Sequence, residues 1–474
     1  EIAGTDTDRR VLISALKVLE LLYKENLKYG KKSMRLPYEE FYIPEIGEKI
    51  DIRTDYMNWL ASKGSSFTRS NKIKISFCEF PFLFDSTAKT LLLRADATRQ
   101  MQGAMQDAVL HSNPMQLFFN PTQVQFLNLN IHRNNIVQDT INQLLFHGIT
   151  DFKRPLRVTF IGEEAEDAGG VRKEFFLLLI REILNPDYGM FTEFTETRAI
   201  WFREGAIETD ATYALIGIVC GLAIYNFTII HLPFPLALYK KLLGVPTSID
   251  DLSDLDPLLA KNLYKLLEYD GEDVEDVFCL NFSVTQDFFG ETKSIPLKEG
   301  GDEIPVTSAN KQEYVDLLVN YKLNKSVDSQ YQAFHSGFYK VCGDSVLKLF
   351  HPLELMALVV GNENYDWNEL EKNTEYKGEF AADHTTIKIF WEVFHELSLE
   401  QKKEFLKFLT GTDRIPIMGM KALKMIIQST SDTNYLPVAH TCVTQLDLPT
   451  FNTKSKLKYK LVQAIQQSEG FGLV

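Results

Sequence analysis

The sequence predicts an α+β fold of roughly two to four domains, because the chain is long enough to bury several cores. It has 474 residues, of which 45% are hydrophobic and 24% are charged, as is typical of globular proteins. Apolar residues recur at helical spacing in many segments, for example from Arg10 to Tyr29. Shorter segments, such as Leu156 to Ile161, have the composition of strands. Both kinds of element are therefore expected.

Charge and cysteine usage limit the classes of function. A net charge of −14 argues against nucleic-acid binding, which needs a basic face, and suits basic protein partners. The five cysteines lack the short spacings of a zinc site or a disulfide framework. They are Cys78, Cys220, Cys279, Cys342 and Cys442. We therefore expect a reducing, cytoplasmic location, with neither a metal nor a cofactor.

The most apolar segment does not predict a membrane span. Its core runs from Ala214 to Tyr225 before Asn226 interrupts it, which is too short to cross a bilayer and favours a buried helix. No signal peptide opens the chain, and Glu1 stands where an initiator methionine would be expected. These two features indicate a piece of a longer protein.

Residues 1–119 carry no catalytic pattern and are predicted to be a mainly helical extension packed on the rest of the chain. Helices are expected around Tyr56 and from Ala88 to Leu110, with a strand or buried loop from Ile73 to Phe84. Beyond residue 120, the pattern predicts strands at 126–133 and 156–161, helices at 136–145 and 171–184, and a hairpin at 295–306.

The segment from Asp250 to Asp276 combines acidity with an apolar stripe. It holds ten acids against two lysines. The stripe consists of leucines at helical spacing, namely Leu255, Leu259, Leu263 and Leu266. An acidic surface with an apolar face suits a partner that has a basic rim around a hydrophobic loop.

The strongest chemical signal lies between Leu436 and Pro449. Two prolines bracket the stretch, and β-branched residues come after Cys442, so this cysteine is expected in a loop or at a loop–strand junction. Another macromolecule can reach a thiol in such a place. His440 lies two residues earlier and would supply positive charge that favours the thiolate. The alternative is a half-buried structural cysteine.

This stretch resembles the active-site signature of the HECT family of ubiquitin ligases, in which Leu-Pro, a short spacer, His-Thr-Cys and Leu-x-Leu-Pro occur in order. Other segments that resemble the family occur in family order between roughly residues 120 and 474, and they include 169–176, 350–356, 410–416 and 471–474. The resemblance implies a two-step acyl transfer. The cysteine takes ubiquitin from an E2 conjugating enzyme as a thioester and then passes it to a lysine of a protein substrate. The chain is most similar to the HERC group, whose members usually carry RCC1-type domains upstream.

The resemblance also implies a bilobal HECT domain after the extension. A larger, mainly helical N-lobe is expected at 120–372, with a small E2-binding subdomain at about 247–315. A smaller α/β C-lobe with Cys442 is expected at 380–474. The hinge between the lobes would be 373–379, which is short and polar and contains Glu375, Tyr376, Lys377 and Gly378. The alternative for this segment is an ordinary surface loop.

The family places E2-facing side chains at positions that carry Leu259, Asn262, Leu263, Leu266 and Tyr314 here. The alternative is that these leucines simply pack into the subdomain, as a helical stripe usually does. The family also needs a phenylalanine fourth from the end for delivery to lysine, which is Phe471 here. The alternative for Phe471 is a disordered tail.

Three residues near Cys442 are candidates for assisting the chemistry. His440 or Thr441 can donate a hydrogen bond to the oxyanion that forms during acyl transfer. Asp447 can take the proton of the incoming lysine. However, Asp447 lies five residues after Cys442, so a regular strand would turn its side chain to the opposite face.

Two other functions stay open at the level of the sequence. A papain-like cysteine hydrolase would need a separate histidine and an acid or amide to complete a triad, and no other histidine lies in a recognisable motif. A non-catalytic scaffold would bind an E2 without accepting ubiquitin, and the thiol at position 442 speaks against it.

Overall fold

The predicted α+β class is confirmed. The structure is a computed structural model that describes residues 6–28, 35–64, 75–112, 115, 118, 124–145, 147–163, 169–206, 208–288, 291–343, 345–430, 435–441 and 443–467. Helices dominate, and the strands form small sheets. The chain divides into two compact units. The first comprises Glu1–Glu182, Val219–His231 and Lys340–Val474, and the second comprises Ile183–Ile218 and Leu232–Tyr339.

In chain order, the helices of the described residues are α1 Asp6–Lys28, α2 Pro44–Lys49, α3 Ile52–Gly64, α4 Ser86–His111, α5 Ile136–Leu144, α6 Gly170–Ile183, α7 Asp210–Tyr225, α8 Leu236–Leu242, α9 Ile249–Leu255, α10 Pro257–Glu268, α11 Val274–Phe278, α12 Lys311–Leu323, α13 Asp328–Cys342, α14 Pro352–Val360, α15 Trp367–Lys372, α16 Thr385–Glu396, α17 Leu399–Thr410 and α18 Lys454–Gln467. The strands are β1 Leu127–Ile131, β2 Leu156–Phe160, β3 Phe191–Phe194, β4 Ala199–Phe202, β5 Ser283–Phe288, β6 Glu291–Pro296, β7 Glu375–Lys377, β8 Ile426–Thr430, β9 Val438–His440 and β10 Gln445–Pro449. Most predicted helices agree with these bounds within a few residues.

One hairpin was predicted at the wrong place, and one segment was predicted as either a strand or a buried loop. The hairpin predicted at 295–306 is wrong, because β5 and β6 form it instead, and residues 301–303 make a single 3₁₀ turn. Gly300 has φ of 67°, so the Gly-Gly pair turns the chain after β6 and does not join two strands. Between Ile73 and Phe84, the buried-loop alternative fits the described part. Two 3₁₀ turns bury Phe77 and Leu83 there, and Pro81 cannot donate to a strand ladder.

The apolar helix α7 is an interior helix, as predicted. In the second unit, two glycines let the backbones of α7 and α13 come into contact. A Cβ atom at Gly217 would lie 1.9 Å from the carbonyl oxygen of Phe334, and one at Gly337 would lie 1.9 Å from that of Ala214. Only glycine fits such an approach. Within the described residues, no helix has both the length and the hydrophobicity needed to cross a bilayer.

The C-terminal part of the first unit has a hydrophobic core of its own. The core joins α15, α16, α17 and α18 to a four-stranded sheet with the order β7-β8-β10-β9. Strand β8 is parallel to both of its neighbours, whereas β9 pairs antiparallel with β10. The largest members of the core include Phe390, Phe394 and Phe405, which are fully buried. This core begins at Leu370 and ends at Ile465.

A buried ion pair ties the N-terminal extension to helix α14. The ammonium of Lys89 lies 2.7 Å from a carboxylate oxygen of Glu354, and the two side chains are 2% and 0% exposed. Tyr42 also donates to this carboxylate, as does the backbone amide of His351 at 2.6 Å. Burial lowers the pKa of Lys89, and the neighbouring carboxylate opposes that shift. The extension is therefore an integral part of the first unit.

Replacing Lys89 with methionine should lower the free energy of unfolding by about 3–5 kcal/mol, because it leaves a buried carboxylate without its counter-charge. The Lys89→Met/Glu354→Gln double variant should lose less than the sum of the two single losses, because it removes both charges. Urea denaturation of the parent, the Lys89→Met variant, the Glu354→Gln variant and the double variant measures the loss of unfolding free energy in each. A loss below about 1 kcal/mol for Lys89→Met would contradict the role given to the pair.

Candidate active site

The predicted active-site stretch forms a hairpin at the edge of the C-terminal sheet. His440 of β9 pairs with Gln445 of β10, and the amide of Val443 donates to the carbonyl of His440 at 3.2 Å, which closes the turn. Thr444 adopts a left-handed φ of 53°, so the chain reverses before β10 begins. Leu446 and Leu448 are fully buried in the core beneath. The hairpin therefore has a fixed base and a turn at its tip.

Cys442 itself lies outside the described residues, and so does Phe471. The residues that flank Cys442, namely Thr441 and Val443, belong to the turn. Val443 is 48% exposed, and Val438 of β9 is 50% exposed. The described flanks of the cysteine therefore belong to the turn between β9 and β10.

His440 and Asp447 meet on one face of the hairpin. His440 Nε2 lies 2.9 Å from Asp447 Oδ2, and Gln445 Nε2 donates to Asp447 Oδ1 at 2.7 Å. The side chains of His440 and Asp447 are 45% and 24% exposed. Alternation along one strand does not set the direction of Asp447, because β9 ends at His440 and Thr444 has a left-handed φ before β10 begins. The pairing of β9 with β10 sets the direction of Asp447 instead.

The tip of the hairpin also contacts helix α6. Lys173 Nζ lies 3.4 Å from the carbonyl oxygen of Thr441. That carbonyl belongs to the same peptide group as the amide nitrogen of residue 442. The Lys173 ammonium therefore brings positive charge to the peptide that precedes the candidate nucleophile.

The other thiols are poorer nucleophile candidates. Among the described cysteines, Cys78, Cys220 and Cys342 are buried and Cys279 is exposed. Burial raises the pKa of the Cys78 and Cys220 thiols, which disfavours their reactive thiolate form. Cys279 donates to the carbonyl of Asp276 at 3.3 Å and lies in an acidic segment. The described residues contain no group of three or more His, Cys, Asp or Glu side chains placed to hold a metal ion.

Three residues of the expected hinge at 373–379 form a strand. Glu375, Tyr376 and Lys377 are β7, which pairs along its full length with β8. Tyr376 accepts a hydrogen bond from Trp391 Nε1 at 2.9 Å, and the amide of the residue after Gly378 donates to Ser429. A polar composition suggested a loop, but the strand has one exposed edge and so tolerates polar side chains. A swing at 375–377 would break the sheet.

A second candidate for the joint lies between α14 and α15, at residues 361–366. Gly361 has φ of 72°, and helix α14 ends there. Asn362 exchanges two backbone hydrogen bonds with Ile415, at 2.9 and 3.0 Å. Glu363 pairs with Arg414 at 2.9 Å. The segment thus rests against the loop before β8, and its Tyr365 packs against the C-terminal core.

The residues expected to face the E2 divide into two groups. Leu263, Leu266 and Tyr314 are 4%, 0% and 5% exposed, so they pack inside the second unit, as the alternative interpretation of the stripe expects. Leu259 is half-buried and Asn262 is exposed. The same segment exposes Leu258 (59%) and Val277 (51%). Its exposed acids are Asp254, Glu268, Asp270, Glu272, Asp273, Glu275 and Asp276.

Sequence reasoning missed three elements of the site. Gln445 carries no catalytic signal, because a half-buried glutamine that alternates with leucines in a strand is ordinary. Lys173 is far from Cys442 in the sequence, so only the fold brings the two segments together. The joint at 361–366 did carry a signal, since Gly361 precedes a polar run that separates two helices.

Comparison with known proteins identifies the family of this chain. A family model described as HECT-domain (ubiquitin-transferase) matches residues 177–474. The probable E3 ubiquitin-protein ligase HERC4 of Mus musculus is 51% identical over 99% of this chain and 45% of its own length. The probable E3 ubiquitin-protein ligase HERC3 of Homo sapiens is 49% identical over 98% of this chain and 44% of its own length.

A third relative, the probable E3 ubiquitin-protein ligase HECTD2 of Mus musculus, is 39% identical over 97% of this chain and 60% of its own length. The chain thus spans less than half the length of the two HERC relatives. The family model covers more than half of the chain, and the predicted resemblance to the HECT family and its HERC group is confirmed. The chain belongs to the HECT-domain (ubiquitin-transferase) family.

Proposed function

We propose that this chain is the catalytic part of an E3 ubiquitin ligase, in which Cys442 carries ubiquitin as a thioester and passes it to a substrate lysine. Membership of the HECT-domain family is the observation that carries this proposal. The hairpin supports it, because Cys442 lies in sequence between two residues of a turn with an exposed flank. The partners are an E2 charged with ubiquitin, ubiquitin itself and a protein substrate, and the proposed location is the cytoplasm.

The first step is transfer from one sulfur to another. The Cys442 thiolate attacks the carbonyl carbon of the E2 thioester, the old C–S bond breaks, and the E2 thiolate leaves. The leaving group resembles the nucleophile, so the site needs only access, partial deprotonation and a donor for the oxyanion. His440 and Thr441 stand beside Cys442 in sequence and are the proposed donors. Lys173, 3.4 Å from the Thr441 carbonyl, adds positive charge that favours the thiolate.

The second step needs a base. The amine of a substrate lysine must lose a proton as it attacks the thioester. Asp447 is the proposed acceptor of that proton, because the hairpin holds its carboxylate against His440 on one face. Phe471 is the proposed tail residue for this step, as the family resemblance implies.

The E2 is proposed to bind the second unit on the surface of helices α10 and α11. Leu258, Leu259 and Asn262 are accessible there, and exposed acids surround them. The buried members of the set, Leu263, Leu266 and Tyr314, are proposed to support this surface from beneath. An apolar patch with an acidic rim suits a partner with the opposite charge.

The chain is proposed to divide into an N-lobe and a C-lobe, with the joint between them at residues 361–366. The C-terminal core supports a separate C-lobe, because its members all lie between residues 370 and 465. A lobe on a joint can bring Cys442 first to the E2 and then to the substrate. A papain-like hydrolase is excluded, since the chain belongs to the HECT-domain family. The non-catalytic scaffold is the remaining alternative.

Incubation with an activating enzyme, an E2 and ubiquitin should give an adduct that a reductant cleaves. Cys442→Ser should give at most an ester that resists the reductant, and Cys442→Ala should give none. Cys279→Ser is the matched control, because it removes the exposed thiol among the described cysteines, and it should load as the parent does. Gel electrophoresis with and without reductant measures the adduct. A reducible adduct on the Cys442→Ala protein would show that another residue is the nucleophile. If the parent forms no adduct with any E2 of a panel, the non-catalytic scaffold is favoured.

Placing a positive charge on the proposed E2 surface should weaken capture of ubiquitin. Asn262→Arg should lower the loading rate at limiting E2 roughly tenfold, because the charge opposes a basic partner at the centre of the patch. Ser336→Arg is the control, since Ser336 is exposed on α13 of the same unit. Loading rates at several E2 concentrations are measured. Equal loading rates for the Asn262→Arg protein and the parent would show that α10 is not part of the surface that binds the E2.

Deleting residues 471–474 should spare thioester formation but slow transfer to lysine at least tenfold, because a lost acid–base or positioning contribution usually costs roughly a hundredfold or more. The preloaded protein is mixed with free lysine, and the disappearance of the reducible adduct is followed. Equal loss of both steps would show that the tail supports the fold of the C-lobe and has no special part in transfer.

A further inference from the structure

We propose that Gln445 is a positioning residue for lysine transfer, which holds the Asp447 carboxylate in the orientation that accepts the proton of the incoming amine. This inference rests on the proposed function and adds a residue to it. Gln445 Nε2 donates to Asp447 Oδ1 at 2.7 Å, while His440 Nε2 lies 2.9 Å from Asp447 Oδ2. Each oxygen of the carboxylate therefore has its own partner.

The register of the hairpin explains why these three side chains meet. Gln445 lies opposite His440 across the β9–β10 pair, and Asp447 follows Gln445 by two residues on the same strand. Residues two apart on a strand share a face, and so do residues directly opposite each other across an antiparallel pair. The buried leucines between and beyond them, Leu446 and Leu448, point into the core and keep the opposite face fixed. The cluster is therefore set by the backbone of the sheet.

Asp447 needs a second partner because its side chain is partly exposed. A carboxylate that is 24% exposed can rotate about its side-chain bonds and exchange partners with water. Two hydrogen bonds that engage both oxygens hold it in one rotamer. Each oxygen retains a lone pair, so the carboxylate can still receive the ammonium of a substrate.

The chemistry of glutamine suits this position better than that of a cation. Its amide donates a hydrogen bond without adding charge, so it leaves the carboxylate negative and does not repel a lysine ammonium. In the transfer step, the amine nitrogen bonds to the thioester carbonyl carbon, and the C–S bond breaks with its electron pair going to Cys442. The lysine ammonium gives one proton to Asp447 before its nitrogen attacks, and the second proton, which the nitrogen loses as the amide forms, passes to the thiolate or to water. Gln445 touches none of the reacting atoms and acts through Asp447.

Two substitutions of Gln445 separate orientation from charge. Gln445→Met keeps the length but removes the donor, so the discharge rate at saturating free lysine should fall roughly five- to tenfold. Gln445→Arg keeps a donor and adds a positive charge, so the rate at saturating lysine should stay within about twofold of the parent. The lysine concentration for half-maximal rate should rise roughly two- to fivefold, because like charges repel. If Gln445 only supported the fold, the two substitutions would not separate an effect on the rate at saturating lysine from an effect on the lysine concentration for half-maximal rate.

The experiment follows discharge of the preloaded full chain over a range of free lysine concentrations. Gln466→Met is the matched control, because Gln466 is exposed on α18 of the same core and should behave as the parent. In an Asp447→Asn background, Gln445→Met should cause no further loss, because the carboxylate it orients is gone. Equal discharge by the Gln445→Met protein and the parent, or additive losses in the double variant, would overturn the inference. If the parent does not load ubiquitin on Cys442, the proposed function falls and the inference falls with it.

Discussion

The pairing of β10 with β8 on one side and β9 on the other is the constraint on which the candidate site depends. It anchors Leu446 and Leu448 in the C-terminal core and places the turn residues Thr441, Val443 and Thr444 at the tip of the hairpin. Because the core fixes β10, the outward side chains of Gln445 and Asp447 have a fixed register against His440. A reactive thiol needs both access and fixed neighbours, and a short turn on a rigid sheet provides both.

The two compact units have different surfaces suited to different tasks. The second unit carries an exposed acidic segment with accessible leucines, while its apolar stripe is mostly used for internal packing. The first unit buries an ion pair between the extension and the N-terminal end of α14. A fully desolvated pair contributes little net stability but makes the loss of either partner costly. The extension therefore fixes the helix that precedes the joint at 361–366.

Much of this organisation could be predicted from the sequence, and the exceptions have physical reasons. Helices with strong periodicity, such as α4 and α16, were found because packing enforces that periodicity. The direction of Asp447 was not predictable, because it depends on a left-handed residue, Thr444, that interrupts the alternation of a strand. The strand at 375–377 was not predicted, because an edge strand can be as polar as a loop. The hairpin near residue 295 was misplaced because a Gly-Gly pair is compatible both with the turn at the centre of a hairpin and with the turn that follows its last strand.

The contacts that hold the joint against the C-terminal core are partly ionic. Glu363 and Arg414 are 45% and 34% exposed, and Lys403 lies 3.8 Å from the same carboxylate. Dissolved ions screen such surface pairs, with a Debye length of about 8 Å at physiological ionic strength. The two backbone bonds between Asn362 and Ile415 are not weakened in the same way. Added salt therefore weakens the ionic part of this contact and leaves its backbone part in place.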